Sequence, residues 1–305
     1  MITTIKQPNM RRLYPFLIGL TMLVVMATPA TARKYGDTLR ILAIGNSFSD
    51  DGMEHLPALL EDMGIENVEL ARLYVGGCTL ERHMQFYDKN EAAYLFYHSK
   101  AGENKWVEAE QKASIQEALS MGEWDIITMQ QASGVSGLYE SYVPHLERLI
   151  SVIKAAQPNA ELVWHMTWSY STDSNHNEFP NYDRDQIKMY RAITDCVHRL
   201  LKEYKIIDKV IPSGTAIQSL RESAINNSPK DFTRDGYHMD YGAGRYALAC
   251  TWYEVLIRPY ARRSMMGNGV RLDLGDIKVT DLTAPYCQKA AKQAAKHPFK
   301  VKAIK

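Results

Sequence analysis

Leu39-Arg40-Ile41-Leu42-Ala43-Ile44-Gly45-Asn46-Ser47-Phe48-Ser49 is the stretch whose reading decides the fold. Apolar residues fill all but one position from 39 to 44, without alternation, as in a strand buried on both faces of a parallel sheet. Gly45 permits a tight turn, and Ser47 then falls between that strand and a predicted helix. In open α/β sheets, ligands bind beyond the carboxyl ends of the strands, where strand order switches. A hydroxyl at that place is either a nucleophile or, like Ser49, a cap for the helix that follows.

The same rhythm extends outward. Further strands are expected over 68–74, 125–129, 161–167 and 207–211. Between them, helices are expected over 53–63, 114–121, 139–156, 184–204, 215–223 and 242–257. Pro158 closes the third of these, and Ile187, Tyr190, Ile193, Val197, Leu200 and Leu201 recur at helical spacing in the fourth. Such alternation predicts βαβ units with helices on both faces of one sheet. Residues 89–111 break the rhythm, with Tyr94, Phe96, Tyr97 and Trp106 set among charges, and read as an insertion carrying a small hairpin. Residues 258–280 are irregular, and Gly267-Asn268-Gly269 marks a turn there.

The first 32 residues carry Lys6, Arg11 and Arg12, an apolar run over 13–27, and then Ala30-Thr31-Ala32. This is the pattern of a secretory signal peptide cleaved after Ala32, and it implies a secreted or periplasmic protein. An uncleaved anchor is the competing reading, but the run falls short of the roughly 20 residues a membrane span needs. No stable membrane span is therefore expected after signal removal. The remainder, 33–280, suffices for one large α/β domain. Residues 281–305 form a basic helix and tail with Lys289, Lys292, Lys296, Lys300, Lys302 and Lys305, read as a solvated face that packs on the body or frays.

A formal net charge of +1 supplies no field for nucleic acid or an anionic membrane. The four cysteines, Cys78, Cys196, Cys250 and Cys287, are too scattered for a disulfide scaffold or a zinc motif. Cys196 and Cys250 are a conceivable bridge in an oxidising compartment, yet both lie in apolar helical contexts that suit buried thiols. Asp173, Asn175, Asn177 and Glu178 have neither the spacing nor the glycine of a calcium loop. No metal and no cofactor is expected.

The second decisive segment is Asp235-Gly236-Tyr237-His238, followed by Met239-Asp240-Tyr241-Gly242-Ala243-Gly244-Arg245. An imidazole base needs an acid on its other ring nitrogen, and Asp235 three positions earlier can reach back to His238. Asp240 competes for that role, although it also resembles a cap for the next helix. With Ser47 these residues give the three side-chain types of a serine hydrolase, in the order Ser, Asp, His.

Gly45-Asn46-Ser47 resembles the Gly-Asp-Ser first block of SGNH (GDSL-type) hydrolases, with Asn for Asp. Asp235-Gly236-Tyr237-His238 is similar to their last block, Asp-x-x-His. Gly76-Gly77-Cys78-Thr79 stands where that superfamily has an oxyanion-hole glycine followed closely by Thr. The resemblance spans about residues 38–258, and its two outer blocks are moderately specific together. It implies a flavodoxin-like three-layer α/β/α fold with a central, mostly parallel five-stranded sheet. It also implies Ser47, Asp235 and His238 as catalytic residues, with Ser47 and Gly77 (Gly76 the alternative) as oxyanion donors.

One block departs from the pattern. The superfamily carries Gly-x-Asn-Asp after its third strand, whereas this chain has Met129-Gln130-Gln131-Ala132-Ser133-Gly134. A Gln amide offers the same donor as Asn with a longer reach, so Gln131, with Gln130 as alternative, is expected to complete the oxyanion hole. The combination looks like a poorly characterised secreted bacterial branch of the superfamily.

Trp168, Tyr170 and Tyr182 are expected as an aromatic platform for a sugar ring, and His165 as a hydrogen-bonded strand residue. The chain thus reads as a secreted esterase removing a small, acetyl-type acyl group from a small-molecule or glycan ester. A catalytically inactive glycan-binding protein on the same fold is the alternative, and a lipase-like enzyme finds no extended apolar lid segment to support it.

Overall fold

A computed structural model describes residues 1, 37–226, 229–274 and 277–304. Apart from Met1, the expected signal peptide and its cleavage point after Ala32 lie outside the described residues. In chain order, β1 (Leu39–Gly45) leads to α1 (Ser47–Met53), α2 (Leu56–Asp62), β2 (Val68–Tyr74) and α3 (Leu80–Asp88). Next come β3 (Leu95–Ser99), β4 (Val107–Glu108), α4 (Ile115–Ser120), β5 (Ile126–Met129) and α5 (His145–Ala156). Then follow β6 (Glu161–His165), α6 (Gln186–Glu203), β7 (Ile207–Ile211) and α7 (Ser213–Arg221). The helix α8 (Ala243–Trp252) runs through a π-helical turn into α9 (Arg258–Ala261). A small antiparallel ribbon, β8 (Leu272–Leu274) with β9 (Ile277–Val279), and α10 (Ala284–Lys296) complete the order.

Seven strands form the main sheet in the order β4-β3-β2-β1-β5-β6-β7. The five from β2 to β7 are parallel, with Leu39 opposite Val68 and Ile41 opposite Ile126 on the two sides of β1. This is the flavodoxin-like order, and β1 is the strand from which the chain moves first to one side and then to the other. Ile41, Leu42 and Ala43 have no exposed surface, which explains the unbroken apolar run.

The five expected strands are the parallel ones, and a hairpin within residues 89–111 extends the sheet to seven. Residues 89–111 fold back on the β2 edge, where β3 pairs antiparallel with β2 and β4 with β3. That hairpin hides the exposed edge which a terminal parallel strand would otherwise present.

Prolines set two further boundaries. The helix expected over 53–63 starts only at Leu56, with Pro57 in its first turn, and a separate helix, α1, precedes it and ends at Met53. The helix expected over 139–156 begins only at His145, after Pro144, and residues 139–142 form a separate 3₁₀ turn.

The last helix is seated on the body. Ala284, Cys287, Ala290, Ala291 and Ala294 of α10 are buried, and their small side chains let the helix approach α8 closely. Cys287 Sγ lies 3.5 Å from Ala243 O, and Gln288 Nε2 donates to the Tyr246 hydroxyl at 2.8 Å. All four cysteines are buried free thiols. Among the described residues no helix is long and apolar enough to cross a membrane.

Candidate active site

Ser47 is the first residue of α1, and the residue before it does the capping. Asn46 Oδ1 accepts from the Phe48 N–H at 3.0 Å, while Asn46 Nδ2 donates to Cys78 O at 3.1 Å. Ser49 Oγ turns back to Asn46 O at 2.8 Å. With Asn46 as the cap, the Ser47 hydroxyl is left for another partner.

That partner is His238, whose Nε2 lies 2.8 Å from Ser47 Oγ. On the far side of the ring, Nδ1 lies 2.6 Å from Asp235 Oδ2. A carboxylate only accepts, so Nδ1 carries the ring proton and the Nε2 lone pair faces the serine. Asp235 Oδ1 in turn accepts from the backbone N–H groups of His238 at 2.8 Å and Tyr237 at 3.1 Å. Partial burial pushes the Asp235 carboxyl up, but its hydrogen bonds from the His238 ring and backbone outweigh this and hold it below its ordinary value. Asp240 is not a rival for His238. Its two oxygens accept from Gly242 and Gly244 N–H at 2.8 Å each, at the start of α8, and burial pushes it up to about 6.

The loop bearing His238 is tied to the helix bearing Ser47. Asp51 has no exposed surface and accepts from the Met239 N–H at 2.8 Å, Arg234 at 3.0 Å and Arg245 at 2.8 Å. Two guanidinium groups and a backbone amide thus compensate one buried carboxylate. Sequence reading missed this acid because nothing local to Asp50-Asp51 tells which of the two turns inward to a residue 188 positions away.

Gly76 and Gly77 border the same cleft, and Gly77 has φ +60°, a left-handed conformation that a side chain would strain. Neither the Gly77 nor the Ser47 backbone N–H has a hydrogen-bond partner among the described residues.

The glutamines are elsewhere, and here the sequence expectation is corrected. Gln131 Oε1 accepts from Leu80 and Ala132 N–H, and its Nε2 donates to Ser141 O and Oγ, at 2.8–3.1 Å. Its amide is fully engaged in joining three loops. Gln130 Nε2 donates to Asn46 Oδ1 at 2.6 Å, and its Oε1 meets His165 Nδ1 at 2.6 Å. The orientation of this chain follows from one fixed donor, the Phe48 N–H. It makes Asn46 Oδ1 an acceptor, so Gln130 presents Nε2 there and Oε1 to a protonated His165 Nδ1. His165 Nε2 then accepts from Ser213 Oγ at 2.9 Å, and burial pushes this imidazole down to about 3, leaving it neutral. Gln130 therefore braces the turn at Asn46, and both ends of its amide are engaged within the protein.

The expected aromatic platform is also corrected, since Trp168, Tyr170 and Tyr182 are all buried. Trp168 stacks on Phe48 at 4.1 Å and donates Nε1–H to Tyr237 O at 2.7 Å. Tyr170 hydrogen-bonds Ser133 Oγ at 2.9 Å, and Tyr182 donates to Gly134 O at 3.0 Å. They support the walls from behind. The open cleft, about 250 Å³, is lined beside Ser47 and His238 by Phe48, Tyr74, Thr79, Ser133, His176, Glu178 and Tyr237. No group of three or more His, Cys, Asp or Glu side chains is placed to hold a metal among the described residues.

The five parallel strands and the position of both sequence blocks at the end of β1 agree with the architecture that the SGNH resemblance implies. A family model described as a domain of unknown function, DUF4886, matches residues 40–277. Among solved structures the chain is similar to a DUF4886 family protein from Bacteroides uniformis ATCC 8492, at 38% identity and a TM-score of 0.79, covering 88% of this chain and 98% of that one. Fainter likenesses include a member of the lipolytic protein G-D-S-L family from Veillonella parvula DSM 2008, at 14% identity and TM-score 0.45, covering 72% and 100%. Another is an acetylxylan esterase from Geobacillus stearothermophilus, at 10% identity and TM-score 0.46, covering 72% and 95%. Comparison with curated proteins gives no match. The family model spans most of the chain and the Bacteroides uniformis structure nearly all of it, so the chain belongs to the DUF4886 family.

Proposed function

We propose that this protein is a serine esterase that hydrolyses a small acyl ester, of the acetyl type, carried by a carbohydrate. The observation that carries the reading is the unbroken relay from Ser47 Oγ through the His238 ring to Asp235, with links of 2.8 and 2.6 Å. Hydroxyl, oriented imidazole and acid are the parts that nucleophilic acyl transfer requires.

In this reaction His238 Nε2 takes the Ser47 proton as Oγ bonds to the ester carbonyl carbon. The negative oxygen of the tetrahedral intermediate is held by the N–H groups of Ser47 and Gly77, each contributing on the order of 2.7–4 kcal/mol. The intermediate collapses, the carbon–oxygen bond to the alcohol breaks, and the alcohol leaves with the proton from His238. Water then attacks the acyl-Ser47 ester with His238 again as base, releasing the acid and restoring the serine. Asp235 fixes the tautomer and stabilises the imidazolium. A secreted or periplasmic location, from the signal-peptide pattern, belongs to the same proposal.

A second reading, a glycan-binding protein without turnover, draws on the engagement of both glutamines, which leaves the oxyanion site with backbone donors alone. Hydrolysis of 4-nitrophenyl acetate separates the two. The esterase reading predicts turnover that Ser47→Ala abolishes; no turnover by the wild type, with saturable glycan binding, would support the second.

A further inference from the structure

Glu178 supplies a carboxylate to the cleft and has no ion-pairing cation there. Its side chain is 41% exposed, and the His176 ring stands beside it, with Nδ1 at 4.0 Å. That ring is not a cation. His176 Nδ1 accepts the Glu178 backbone N–H at 3.2 Å, and burial lowers the imidazole below its usual range against the opposing pull of Glu178. No Lys or Arg lines the cleft, so Glu178 leaves it negatively charged.

The carboxylate also packs closely on a glycine. A Cβ built on Gly134 would fall 1.9 Å from Glu178 Oε2 and 2.3 Å from its Cδ, so the acid lies flat on a stretch of backbone that only glycine leaves open. Tyr182, four residues on, locks the two segments together by donating to Gly134 O at 3.0 Å and accepting from Gly137 N–H at 2.9 Å. The glycine and the glutamate thus form a fitted pair beside the nucleophile.

Position decides what this acid meets. The departing alcohol takes its proton from His238, so it occupies the His238 side of the cleft. Tyr237 is packed against the His238 ring at 4.3 Å, and His176 against Tyr237 at 4.6 Å. Glu178 therefore faces the alcohol portion of the ester rather than its acyl group.

We infer that Glu178 selects the alcohol: its oxygens accept hydrogen bonds from the hydroxyls of a neutral, polyhydroxylated leaving group, and its charge rejects esters of anionic alcohols such as uronate units. Hydrogen bonds to a carboxylate are among the stronger ones, and an unpaired like charge is disfavoured in a confined site. The inference rests on the esterase reading and names the substrate class within it.

The test compares kcat/KM for three acetate esters: 4-nitrophenyl acetate, a mono-O-acetylated neutral methyl xyloside and a mono-O-acetylated methyl glucuronoside. In Glu178→Gln the ratio of xyloside to 4-nitrophenyl acetate activity falls at least about ten-fold, mainly through KM, because the strong acceptor is lost. The ratio of glucuronoside to xyloside activity rises at least about ten-fold, because the repelling charge is gone. Opposite movement of the two ratios is not expected from loosened structure. An active variant in which both ratios stay at the wild-type values, or all three activities fall together, overturns this inference alone. A wild type inert toward every ester overturns the esterase reading and this inference with it.

Discussion

Asp51 stands one helical turn after Ser47, and its buried carboxylate accepts the N–H of Met239, the residue after His238, at 2.8 Å. Ser47 and His238 come from segments 191 residues apart, and this acid ties one to the other. Asp51→Ala leaves Arg245 and Arg234 facing an empty buried site, with a cost of about 3–5 kcal/mol in stability. Urea denaturation is expected to show that loss, and esterase activity to fall well below wild type even at temperatures where the variant is folded.

Gln131 gives a prediction that separates scaffold from chemistry. Its four hydrogen bonds join Leu80, Ala132 and Ser141, so Gln131→Leu orphans buried partners and destabilises by about 1–3 kcal/mol. An oxyanion donor would instead cost roughly 100- to 1,000-fold in kcat with little change in stability. Thermal unfolding together with kcat distinguishes the two, and the former pattern is expected.

Trp168 lies at 0% exposure between Phe48 and the Tyr237 carbonyl, beneath the cleft floor. Trp168→Ala removes a large buried side chain and is expected to cost about 3–5 kcal/mol. A sugar platform would show as a raised KM with unchanged stability. Calorimetric unfolding decides between them.

Asp231 sets an acid limit on stability. Burial raises its carboxyl, but the Thr172 N–H and hydroxyl, Asn226 and the Arg221 guanidinium outweigh this and bring it from 3.8 down to about 2. A carboxyl lowered in the folded state contributes stability that is present above about pH 4 and lost as the pH falls towards 2. The unfolding free energy of the wild type should drop across that window. Asp231→Asn should start lower at pH 7 and show a flatter profile between pH 4 and 2.

Much of the fold was legible because burial on both faces writes itself as an apolar run. The strand of residues 39–44, and those near 68–74 and 207–211, are placed almost residue for residue. A hairpin within residues 89–111 was expected, but not its place in the main sheet, since Leu95-Phe96-Tyr97-His98-Ser99 mixes polarity and takes its strand character from pairing with β2. At the site, residue types at fixed spacing pointed to Ser47, Asp235 and His238, whose mutual reach the folded chain then displays. Side-chain direction is what sequence withholds. Gln130 and Gln131 have the right amide but turn it into the scaffold, and Trp168 has the right ring but lies behind the wall. Glu178 was visible only as one acid in a polar loop, because its fit on Gly134 joins segments that are 44 positions apart in the chain.

Activity at Ser47 is the central claim, and covalent capture by a fluorophosphonate tests it most directly, before any natural substrate is known. Intact-mass and peptide mass spectrometry should find one phosphonyl adduct on Ser47, lost in Ser47→Ala and strongly slowed in His238→Ala. A wild-type protein that stays unlabelled, or carries the adduct on another residue, would contradict the account.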